Sequence, residues 1–434
     1  MESKGIMSSK ITTFVELDQR ALEQLERCAE QATRAVLCAD HHVGYSQPIG
    51  GAIAYPDHIS PSGVGYDIAC GNKAVRTALK ATDIPVGQIM DEISTKISFG
   101  MGRNNQEDVS HPVLDKIKEA PFAPQRQLYD LAAKQLGTVG SGNHYVDLFT
   151  DEEGWLWIGV HFGSRGFGHK TATGFMALSQ SKKFEEQPKG EGMDDSPILF
   201  STDSDLGQAY IAAMTLAGDY AYAGRDWVVD KVLSILGTTS NYEVHNHHNF
   251  AWKEEHDGEQ VWVVRKGCTP AFPGQQGFVG GSMGDISVIL EGIEGEEAKS
   301  SLYSTVHGAG RVMSRTQAAG RQRWKKRYVN NVREDTQHYL NEEDALKYPG
   351  ATKAKKMRVV TSDKKGLVDW DNVKESMKLN SIELRGGGAD EAPGVYKSLS
   401  AVLDAHSGSI RILHTLQPIG VAMAGAEIFD PYKD

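Results

Sequence analysis

The sequence lacks the features that mark secreted and membrane-spanning proteins. It contains only four cysteines, which are scattered and show no spacing typical of a disulfide framework: Cys28, Cys38, Cys70 and Cys268. No run approaches the roughly 18 consecutive apolar residues that a membrane helix needs, and the first segment, MESKGIMSSK, has no apolar core of the kind found in signal peptides. We therefore expect a cytoplasmic protein with reduced thiols, in which a cysteine is available as a metal ligand.

The sequence also lacks net positive charge, internal repeats and long linkers. Its formal net charge is −11 at pH 7, so no overall field attracts nucleic acid, and any polyanionic partner must meet a local basic patch. A content of 40% hydrophobic and 24% charged residues is typical of a globular protein. We expect one domain over residues 1–434, with an exposed polar insertion at 179–197 and a C-terminal extension at 426–434.

Apolar periodicity predicts helices and strands without regular βαβ alternation, which indicates an α+β fold. A helix is expected over residues 17–36, with Asp18 as its N-cap. The longest helix is expected over residues 205–236, with Ser204 as its N-cap, and its apolar character on most faces predicts that it is buried. A basic helix is expected from residue 307 to about residue 330.

A glycine-rich stretch at residues 40–71, DHHVGYSQPIGGAIAYPDHISPSGVGYDIACG, contains potential metal ligands. Glycine lets the backbone take positive φ and approach a ligand closely, and Asp67 and Cys70 offer an oxygen and a sulfur one short turn apart. A glycine-rich turn around a buried cysteine explains the stretch equally well. Further potential ligands stand at strand ends or glycine turns elsewhere: His144, His161, His245, His247 and His248.

Each of these histidines, taken singly, is more often a hydrogen-bonded structural residue than a ligand. Together with the cysteine and the carboxylate they form the set of residue types that binds zinc, manganese or iron. A two-metal site bridged by the thiolate would use all of these types, but the sequence alone does not show that they converge.

The segment STVHGAGRVMSRTQAAGRQRWKKRY places His307 beside glycines and ahead of many basic residues. Neutral imidazole is a competent phosphoryl nucleophile, and Gly308 and Gly310 leave room for a bulky group to reach it. A helix start at His307 would suit a phosphate, and Arg311 and Arg315 would share its face at i+4 spacing. The alternative is a solvated basic helix with a buried histidine.

Ten ordered motifs along the chain resemble those of the RtcB-type RNA ligases, which join RNA 3′-phosphate or 2′,3′-cyclic phosphate ends to 5′-hydroxyl ends. The motifs are DHHVGYSQPIGG, SPSGVGYDIACG, GTVGSGNHYVDLF, VHFGSRGFGHK, NHHNF, VVRKGCTPAFPG, GGSMG, STVHGAGRVMSR, EAPGVYKSL and LQPIGV. A chance match of ten motifs in this order is not credible. The resemblance implies a single large domain with mixed β-sheets packed against helices around a central metal cleft.

The resemblance implies a manganese-dependent ligase with two bound ions. The Cys70 thiolate would bridge the two Mn²⁺ ions. Asp67 and His144 would complete one metal shell, and His161 and His248 the other. His248 is chosen from its cluster because the family's ligand directly precedes an asparagine.

The resemblance also implies a histidine–GMP intermediate. His307 would attack the α-phosphate of GTP and carry GMP as a phosphoramidate to the RNA 3′-phosphate, from which the 5′-hydroxyl displaces it. A neutral His307 is required, since an imidazolium cannot attack. Four further residues match positions that hold phosphates in the family: Arg311, Arg165, Lys266 and Asn143.

The nucleotide-binding positions match the family less completely. With His307, they are Asn143, Asp147, Asn249, Ser282, Met283, Gly284, Gly308, Ala309, Gly310, Tyr396 and Met423. Asp147 stands where the family has a glutamate that reads guanine, and Met423 stands where a C-terminal lysine touches the base. The catalytic positions therefore match while the base pocket departs, which favours a divergent paralogue, with RNA repair as an alternative role to tRNA splicing.

RNA with the ends named above is the expected partner, and an archease-like activator is a further candidate. Lys325, Lys326 and Arg327 are candidates for phosphate contacts. Two other functions remain open. One is an enzyme that processes or caps 3′-phosphate ends of RNA or DNA without sealing them, and the other is a catalytically inactive RNA-end-binding protein. The ten motifs and the complete ligand set count against the inactive protein.

Overall fold

The computed structural model describes residues 10–15, 18–190, 192–333, 336–340, 353–426 and 428, with residues 321–333, 336–340 and 353–364 described by their backbone. Helices and mixed sheets alternate irregularly along this part of the chain, so the predicted α+β class is confirmed. Of the expected C-terminal extension, residues 427 and 429–434 lie outside the described residues.

Most of the helices are short. They are α1 (Gln19–Ala29), α2 (Pro61–Val64), α3 (Val86–Lys96), α4 (Pro112–Lys118), α5 (Ala123–Arg126), α6 (Tyr129–Gln135), α7 (Arg165–Ser179), α8 (Asp205–Leu236), α9 (Glu296–Ser300), α10 (Arg315–Ala319), α11 (Trp370–Leu379) and α12 (Leu399–Asp404). Single turns of 3₁₀ helix occur at Ala81–Asp83, Ala389–Glu391 and Pro393–Val395. Among the described helices, none combines the length and the apolar character that crossing a membrane requires.

The prediction for the longest helix is confirmed at both ends. The Ser204 side chain accepts the N–H of Gly207, and α8 ends at Leu236 before Gly237, which adopts the left-handed conformation (φ 64°) typical of a helix C-terminus. The helix is apolar on most faces because it joins two cores. Tyr220 packs in one core, which includes residues of a five-stranded sheet, and Val228 packs in another, which includes residues of an eight-stranded sheet.

The five-stranded sheet has the order β1 (Ile11–Thr13), β2 (Arg34–His42), β3 (Ile49–Tyr55), β11 (Glu259–Lys266) and β10 (Asn249–His256). Strand β1 pairs parallel with β2, and the other neighbours pair antiparallel. Its strands include continuous buried runs, as expected for a sheet that is covered on both faces.

The eight-stranded sheet has the order β13 (Gln276–Val279), β14 (Ser287–Gly292), β20 (Ile410–Gly425), β6 (Tyr145–Thr150), β7 (Trp155–Phe162), β5 (Gly71–Lys80) and β9 (Ser240–His247). Its eighth strand, β19 (Glu383–Gly387), pairs parallel with β20. Because β7 runs antiparallel to both β5 and β6, and β9 runs antiparallel to β5, strand starts and strand ends meet at one edge of this sheet.

Three smaller sheets complete the described part of the chain. Two are two-stranded, namely β4 (His58–Ile59) with β8 (Phe200–Ser201) and β12 (Cys268–Pro270) with β15 (Ser304–Val306). The third has three antiparallel strands in the order β17 (Thr336–Leu340), β16 (Gly320–Arg333) and β18 (Lys353–Lys365).

Two predicted helices are longer than the observed ones, although the Asp18 side chain caps the start of α1 as predicted. The helix predicted over residues 17–36 ends at Ala29, and its apolar C-terminal part belongs to β2, because a short apolar run fits a buried strand as well as a helix. The basic helix predicted from residue 307 is limited to α10. Gly320 (φ 80°) ends that helix, and pairing with β17 and β18 then provides the backbone hydrogen bonds of β16.

The segment expected as an exposed insertion follows α7. Residues 180–190 and 192–197 form no helix or strand, and most of them are exposed. The carbonyl group of Met193 accepts hydrogen bonds from the side chains of Gln24 and Arg27, which anchors this segment to α1.

Candidate metal centre and active site

The segments that carry the predicted metal ligands meet at one edge of the eight-stranded sheet. Cys70 directly precedes β5, and His144 directly precedes β6. His161 is the second-last residue of β7, and His248 directly follows β9. The pairing places the first residue of β5 opposite the last residues of β7 and β9, and the first residue of β6 opposite His161. Asp67 reaches the same edge from the turn between α2 and β5.

Two groups of potential ligand atoms share the Cys70 sulfur. Cys70 Sγ lies 3.3 Å from His161 Nε2 and 3.6 Å from His144 Nε2. His144 Nε2 lies 3.2 Å from Asp67 Oδ2. Within each group, one ligand atom from every residue lies within 4.8 Å of the others: Cys70, His161 and His248 form one group, and Asp67, Cys70 and His144 form the other.

Burial sets the protonation of these side chains. It lowers the pKa of His161 and of His248 well below the usual value, so both rings are neutral and able to bind a metal. Burial and the charge of Asp67 raise the pKa of the Cys70 thiol well above its usual value. Burial alone would also raise the pKa of Asp67, but its hydrogen bond with His144 and the charge of that ring lower it to about 2.

The donor set fits divalent transition metals. It combines a thiolate, imidazoles and a carboxylate, and among the described residues the buried Nδ1 atoms of His144 and His248 have no hydrogen-bond partner. His144 faces both Cys70 and Asp67 with its Nε2 atom, so Nε2 is the nitrogen placed to bind a metal. Gly163 lets the chain pass close to the site, since a Cβ atom there would lie 2.2 Å from Asp67 Oδ1. Because both groups contain Cys70, they are compatible with a thiolate that bridges two ions.

His307 lies directly after β15 and is held by Asp40, a residue that the sequence reasoning did not single out. The buried Asp40 Oδ2 accepts hydrogen bonds from His307 Nδ1 (2.6 Å), from the backbone N–H of His307 (2.9 Å) and from that of Gly308 (3.3 Å). Burial opposes ionisation of Asp40, but the charge and hydrogen bonds of His307 lower its pKa. In the neutral form of His307, the hydrogen bond to this carboxylate places the proton on Nδ1 and leaves the lone pair on Nε2.

The nucleophile candidate stands beside the metal-ligand candidates. The ring centroids of His307 and His248 are 4.9 Å apart. Gly267 (φ 62°) permits this approach, because a Cβ atom there would lie 2.9 Å from His307 Cε1. His307, whose Nδ1 atom is bound to Asp40, therefore lies beside the ligand cluster.

The prediction that His307 opens a helix is wrong. Residues 307–314 form bends and an isolated bridge between Arg311 and Tyr396 rather than a helix, and α10 begins only at Arg315 with Ser314 as its N-cap. Gly310 adopts φ 76°, and a Cβ atom there would clash with the backbone of residue 40, so this turn follows the path of β2 rather than a helix. The helix-dipole argument for phosphate binding at His307 therefore does not apply, and Arg311 does not share a helical face with it.

The ligand cluster and His307 open into a single cavity of about 640 Å³, a volume suited to a nucleotide-sized ligand. Its wall contains most of the predicted phosphate and nucleotide positions: Asn143, Asp147, Asn249, Lys266, Ser282, Met283, Gly308, Ala309, Gly310, Arg311, Tyr396 and Met423. Arg165 and Gly284 are absent from the wall. Arg165 instead donates to Gly100 O (3.1 Å) and to Thr138 Oγ1 (3.2 Å).

Arg311 belongs to a charged cluster that the sequence reasoning recognised only in part. Its guanidinium donates to Tyr396 Oη (3.0 Å) and to the Asp390 carbonyl (2.8 Å), and it forms an ion pair with Glu391 (3.5 Å). Arg315 pairs with the carboxylates of Asp390 (2.9 Å) and Glu391. The motif EAPGVYKSL contains Glu391 and Tyr396 and was the available signal. Two buried carboxylates thus hold two arginines at the cavity wall.

Three other residues that were predicted to bind phosphate or nucleotide form hydrogen bonds that involve backbone groups. Lys266 Nζ donates to the carbonyls of Tyr45 (2.7 Å) and Ser62 (3.2 Å). Asn249 Oδ1 accepts the N–H of residue 267 (2.7 Å). The carbonyl group of Asn143 accepts a hydrogen bond from the ligand candidate His161 (3.1 Å). These contacts fix the side of the cavity that adjoins the ligand cluster.

Asp147 and Met423 come from neighbouring strands of the eight-stranded sheet. Met423 of β20 lies opposite Tyr145 of β6, two residues before Asp147. Asp147 Oδ1 accepts the N–H of Ala422 (3.3 Å), and burial raises the pKa of this carboxyl well above its usual value. The two residues that depart from the family pattern, Asp147 and Met423, therefore lie in the same part of the cavity wall.

The structure separates the three histidines of NYEVHNHHNF. His245 and His247 lie on β9 and contact the guanidinium of Arg225 in α8, at 2.8 and 3.0 Å. Among the described residues, His248 alone of the three joins a potential ligand group. The sequence reasoning missed Arg225, because a single arginine in an apolar helix carries no local signal.

The chain matches the family described as "RtcB: tRNA-splicing ligase RtcB" over residues 22–123 and 115–372. It is 30% identical over 407 residues to the RNA-splicing ligase RtcB of Escherichia coli (strain K12), which covers 88% of this chain and 87% of that protein. It is 27% identical over 503 residues to the tRNA-splicing ligase RtcB of Archaeoglobus fulgidus, which covers 96% and 93%. For the tRNA-splicing ligase RtcB of Thermococcus kodakarensis, the identity is 28% over 495 residues, and 93% of each chain is covered.

Proposed function

The chain belongs to the RtcB family, and on this premise we propose that it joins RNA 3′-phosphate or 2′,3′-cyclic phosphate ends to 5′-hydroxyl ends, with GTP and Mn²⁺, through a histidine–GMP intermediate. The observation that carries the proposal is the convergence of two potential ligand groups, which share Cys70, with His307 in a single cavity. RNA is the proposed partner, an archease-like activator a candidate, and the cytoplasm the proposed location.

The proposed reaction has three steps, and the first of them uses Asp40 and His307. Asp40 orients His307, so that Nε2 can attack the α-phosphate of GTP; an N–P bond forms and pyrophosphate leaves. A 2′,3′-cyclic end must first be opened by water, which breaks the bond from phosphorus to the 2′-oxygen and leaves a 3′-phosphate. The RNA 3′-phosphate then attacks the GMP phosphorus, and the N–P bond breaks. Finally the 5′-hydroxyl attacks the activated 3′-phosphate, loses its proton and displaces GMP.

The proposed metal ligands are Asp67, Cys70, His144, His161 and His248. Two divalent ions held there would supply Lewis-acid stabilisation of the phosphate charge. Arg311, Lys266, Asn143 and Arg165 are proposed to hold phosphates. The first three are in the cavity wall, and Arg165 lies outside it, where its guanidinium binds Gly100 and Thr138.

A single-turnover assay tests the proposal. A labelled RNA with a 3′-phosphate and a partner with a 5′-hydroxyl should give a sealed product in the presence of GTP and Mn²⁺. A processed or capped 3′ end without sealing would favour an end-processing enzyme. A strand that is bound but chemically unchanged would favour an inactive RNA-end-binding protein. The neutral rings of His161 and His248 and the oriented His307 support the ligase over the inactive protein.

Selectivity for GTP over ATP is expected to be weaker than in a family member with the C-terminal lysine. Met423 offers no donor to the base, and the carboxyl that replaces the family's glutamate is one methylene shorter. Losing a charge-assisted hydrogen bond costs about 1.5 to 3 kcal/mol, or roughly tenfold or more in affinity. Met423→Lys should restore a preference for GTP of about this size, measured by labelling of His307 with each of the four nucleoside triphosphates at matched low concentration.

Two outcomes distinguish the explanations of nucleotide choice. If the chain prefers GTP strictly and keeps that preference after truncation beyond Gly425, the Met423 argument is wrong and Asp147 alone recognises guanine. If the preference is lost on truncation, the residues after Gly425 supply the missing donor. The matched control is Ile412→Lys, because Ile412 stands on the same strand as Met423 but is exposed and does not line the cavity.

RNA affinity is expected to depend on the basic three-stranded sheet. Strand β16 contains six lysines and arginines and no acidic residue. The register places Lys326 opposite Lys356 and Arg327 opposite Lys355. This strand therefore offers a local basic segment for a polyanion despite the negative net charge of the chain. Neutralising Lys325, Lys326 and Arg327 together should weaken RNA binding and reduce the log–log salt slope by up to about one unit for each of the three that binds a phosphate.

The RNA affinity of the triple variant, measured at several salt concentrations, tests this prediction. The control is a triple neutralisation of Lys116, Lys118 and Lys134, which are exposed on α4 and α6 and do not line the cavity. Strand β16 starts three residues after Gln317, which does line the cavity. An unchanged affinity and salt slope in the β16 variant would place the RNA path elsewhere.

A further inference from the structure

Arg225 is a buried charged residue for which the proposed reaction has no role. It lies on α8 with a relative exposure of 0%. Among the described residues, no carboxylate forms an ion pair with its guanidinium. Withdrawing an ion of this kind from water is costly unless its N–H groups are well paired. The partners of Arg225 therefore indicate why the fold keeps a cation here.

The guanidinium reaches two of the segments that carry potential metal ligands. Its Nη1 donates to the carbonyl of Ala69 (3.0 Å), the residue before Cys70. The same nitrogen donates to the carbonyl of Phe162 (2.6 Å), the residue after His161. One nitrogen thus joins the start of β5 to the end of β7.

The other donors of Arg225 are bound by the histidines that are not ligand candidates. Nε donates to His245 Nε2 (2.8 Å), and Nη2 donates to His247 Nδ1 (3.0 Å). Burial, helped by the charge of Arg225, lowers the pKa of both rings, so they remain neutral acceptors. His245 Nδ1 lies 3.4 Å from Asp226, whose carboxylate also binds Lys73. All three nitrogen atoms of the Arg225 guanidinium are therefore hydrogen-bonded.

Ala69 is the point at which this arrangement acts on Cys70. Its φ of 57° is left-handed, a conformation that is unfavourable for a residue with a Cβ atom. Its N–H donates to the carbonyl of Asn249 (2.7 Å), and its carbonyl accepts from Arg225. These two bonds hold the peptide groups on both sides of Ala69. Relaxation of this residue would turn Cys70 away from His161.

We propose that Arg225 is a positioning residue of the metal centre: it holds Ala69 in the left-handed conformation and ties it to Phe162, and it thereby fixes Cys70 against His161. The inference rests on the proposed function, because it takes these two residues as metal ligands. Lysine at position 225 would keep the charge, but a single ammonium cannot reproduce the planar fork that spans two carbonyls and two rings.

Cobalt binding by the full chain tests the inference without an activity assay. Arg225→Lys should bind Co²⁺ about 10- to 100-fold more weakly than the natural chain, the range typical when a group that supports a metal ligand is removed. The thiolate-to-cobalt charge-transfer absorbance should fall while the circular dichroism spectrum is kept. Adding Ala69→Gly should restore part of the affinity, because glycine adopts positive φ at no steric cost.

Arg265→Lys is the matched control. Arg265 is also 0% exposed, but it donates to Glu254, Ser304 and the Leu302 carbonyl, none of which is a ligand candidate. This variant should keep the cobalt affinity and absorbance. An unchanged affinity in Arg225→Lys, an equal loss in Arg265→Lys or no recovery with Ala69→Gly overturns the inference.

A second pair of variants decides the matter if Arg225→Lys does not fold. His247→Asn keeps an acceptor near the position of Nδ1 and should retain cobalt binding, whereas His247→Leu leaves a guanidinium N–H unpaired and should weaken it. Equal affinities in these two variants overturn the inference. Absence of cobalt binding by the natural chain would instead overturn the proposed metal centre, and the inference with it.

Discussion

Cys70→Ala is expected to remove bound manganese and RNA-joining activity together. Cys70 belongs to both potential ligand groups, so its loss disrupts both sites, whereas loss of His144 or His248 disrupts one. Metal ions contribute several kcal/mol to stabilising charge in a phosphoryl transition state, and activity should therefore fall by about three orders of magnitude or more. Elemental analysis of the purified variant and the single-turnover joining assay measure the two effects.

Cys28→Ala is the matched control, because Cys28 is also buried but lies on α1 and contacts the Ser46 carbonyl. It should keep both metal and activity. Full metal content in Cys70→Ala would contradict the ligand assignment. Since the pKa of the Cys70 thiol is raised, metal must displace a proton, and manganese affinity should increase with pH across the neutral range. His161 and His248, whose pKa values are lowered by burial, should not limit binding there.

His307→Ala is expected to abolish covalent labelling by GTP. With Nδ1 bound to Asp40, His307 presents Nε2 beside the ligand cluster, and alanine offers no nucleophile in its place. The natural chain, incubated with labelled GTP and Mn²⁺, should form an adduct that is labile in acid and stable in base. Mass spectrometry of the digested protein should place it on His307. Full labelling of His307→Ala would show that the nucleophile is another residue.

Asp40→Asn separates orientation from nucleophilicity. Asparagine fills the same space but does not stabilise the proton on Nδ1, so labelling should slow by about two to four orders of magnitude, the range for groups that orient or exchange a proton with a reacting residue. His256→Ala is the control for His307→Ala, because it also removes a buried imidazole. His256 pairs with Glu254 and lies outside the cavity wall. It should label normally. Normal labelling of Asp40→Asn would contradict the role of that carboxylate.

Features that depend on neighbours in the chain could be predicted from the sequence. Helix α8 was predicted with its bounds, because a serine N-cap, a long apolar segment and a glycine after its end are local signals. The family was predicted from ten motifs, and the match over residues 22–123 and 115–372 confirms it. The residue types of a metal site were also visible, although their roles stay predictions.

Features that depend on strand pairing could not be predicted in this way. Residues 320–333 have the composition of a basic helix, and only pairing with β17 and β18 makes them a strand. The bond between Asp40 and His307 joins positions 267 residues apart, so no local pattern announces it. No local sequence pattern identifies Arg225 either, because its partners come from two separate strands, β7 and β9, and from the turn before β5.

The sequence by itself determined the family, the α+β class and the residue types available for chemistry, because motifs, caps and apolar periodicity act over short distances along the chain. The tertiary structure decided which of those residues meet. Antiparallel pairing of β5 with β7 and β9, and of β6 with β7, aligns the strand starts beside Cys70 and His144 with the strand ends beside His161 and His248. That alignment is set by register and burial across the sheet, which no stretch of sequence contains on its own.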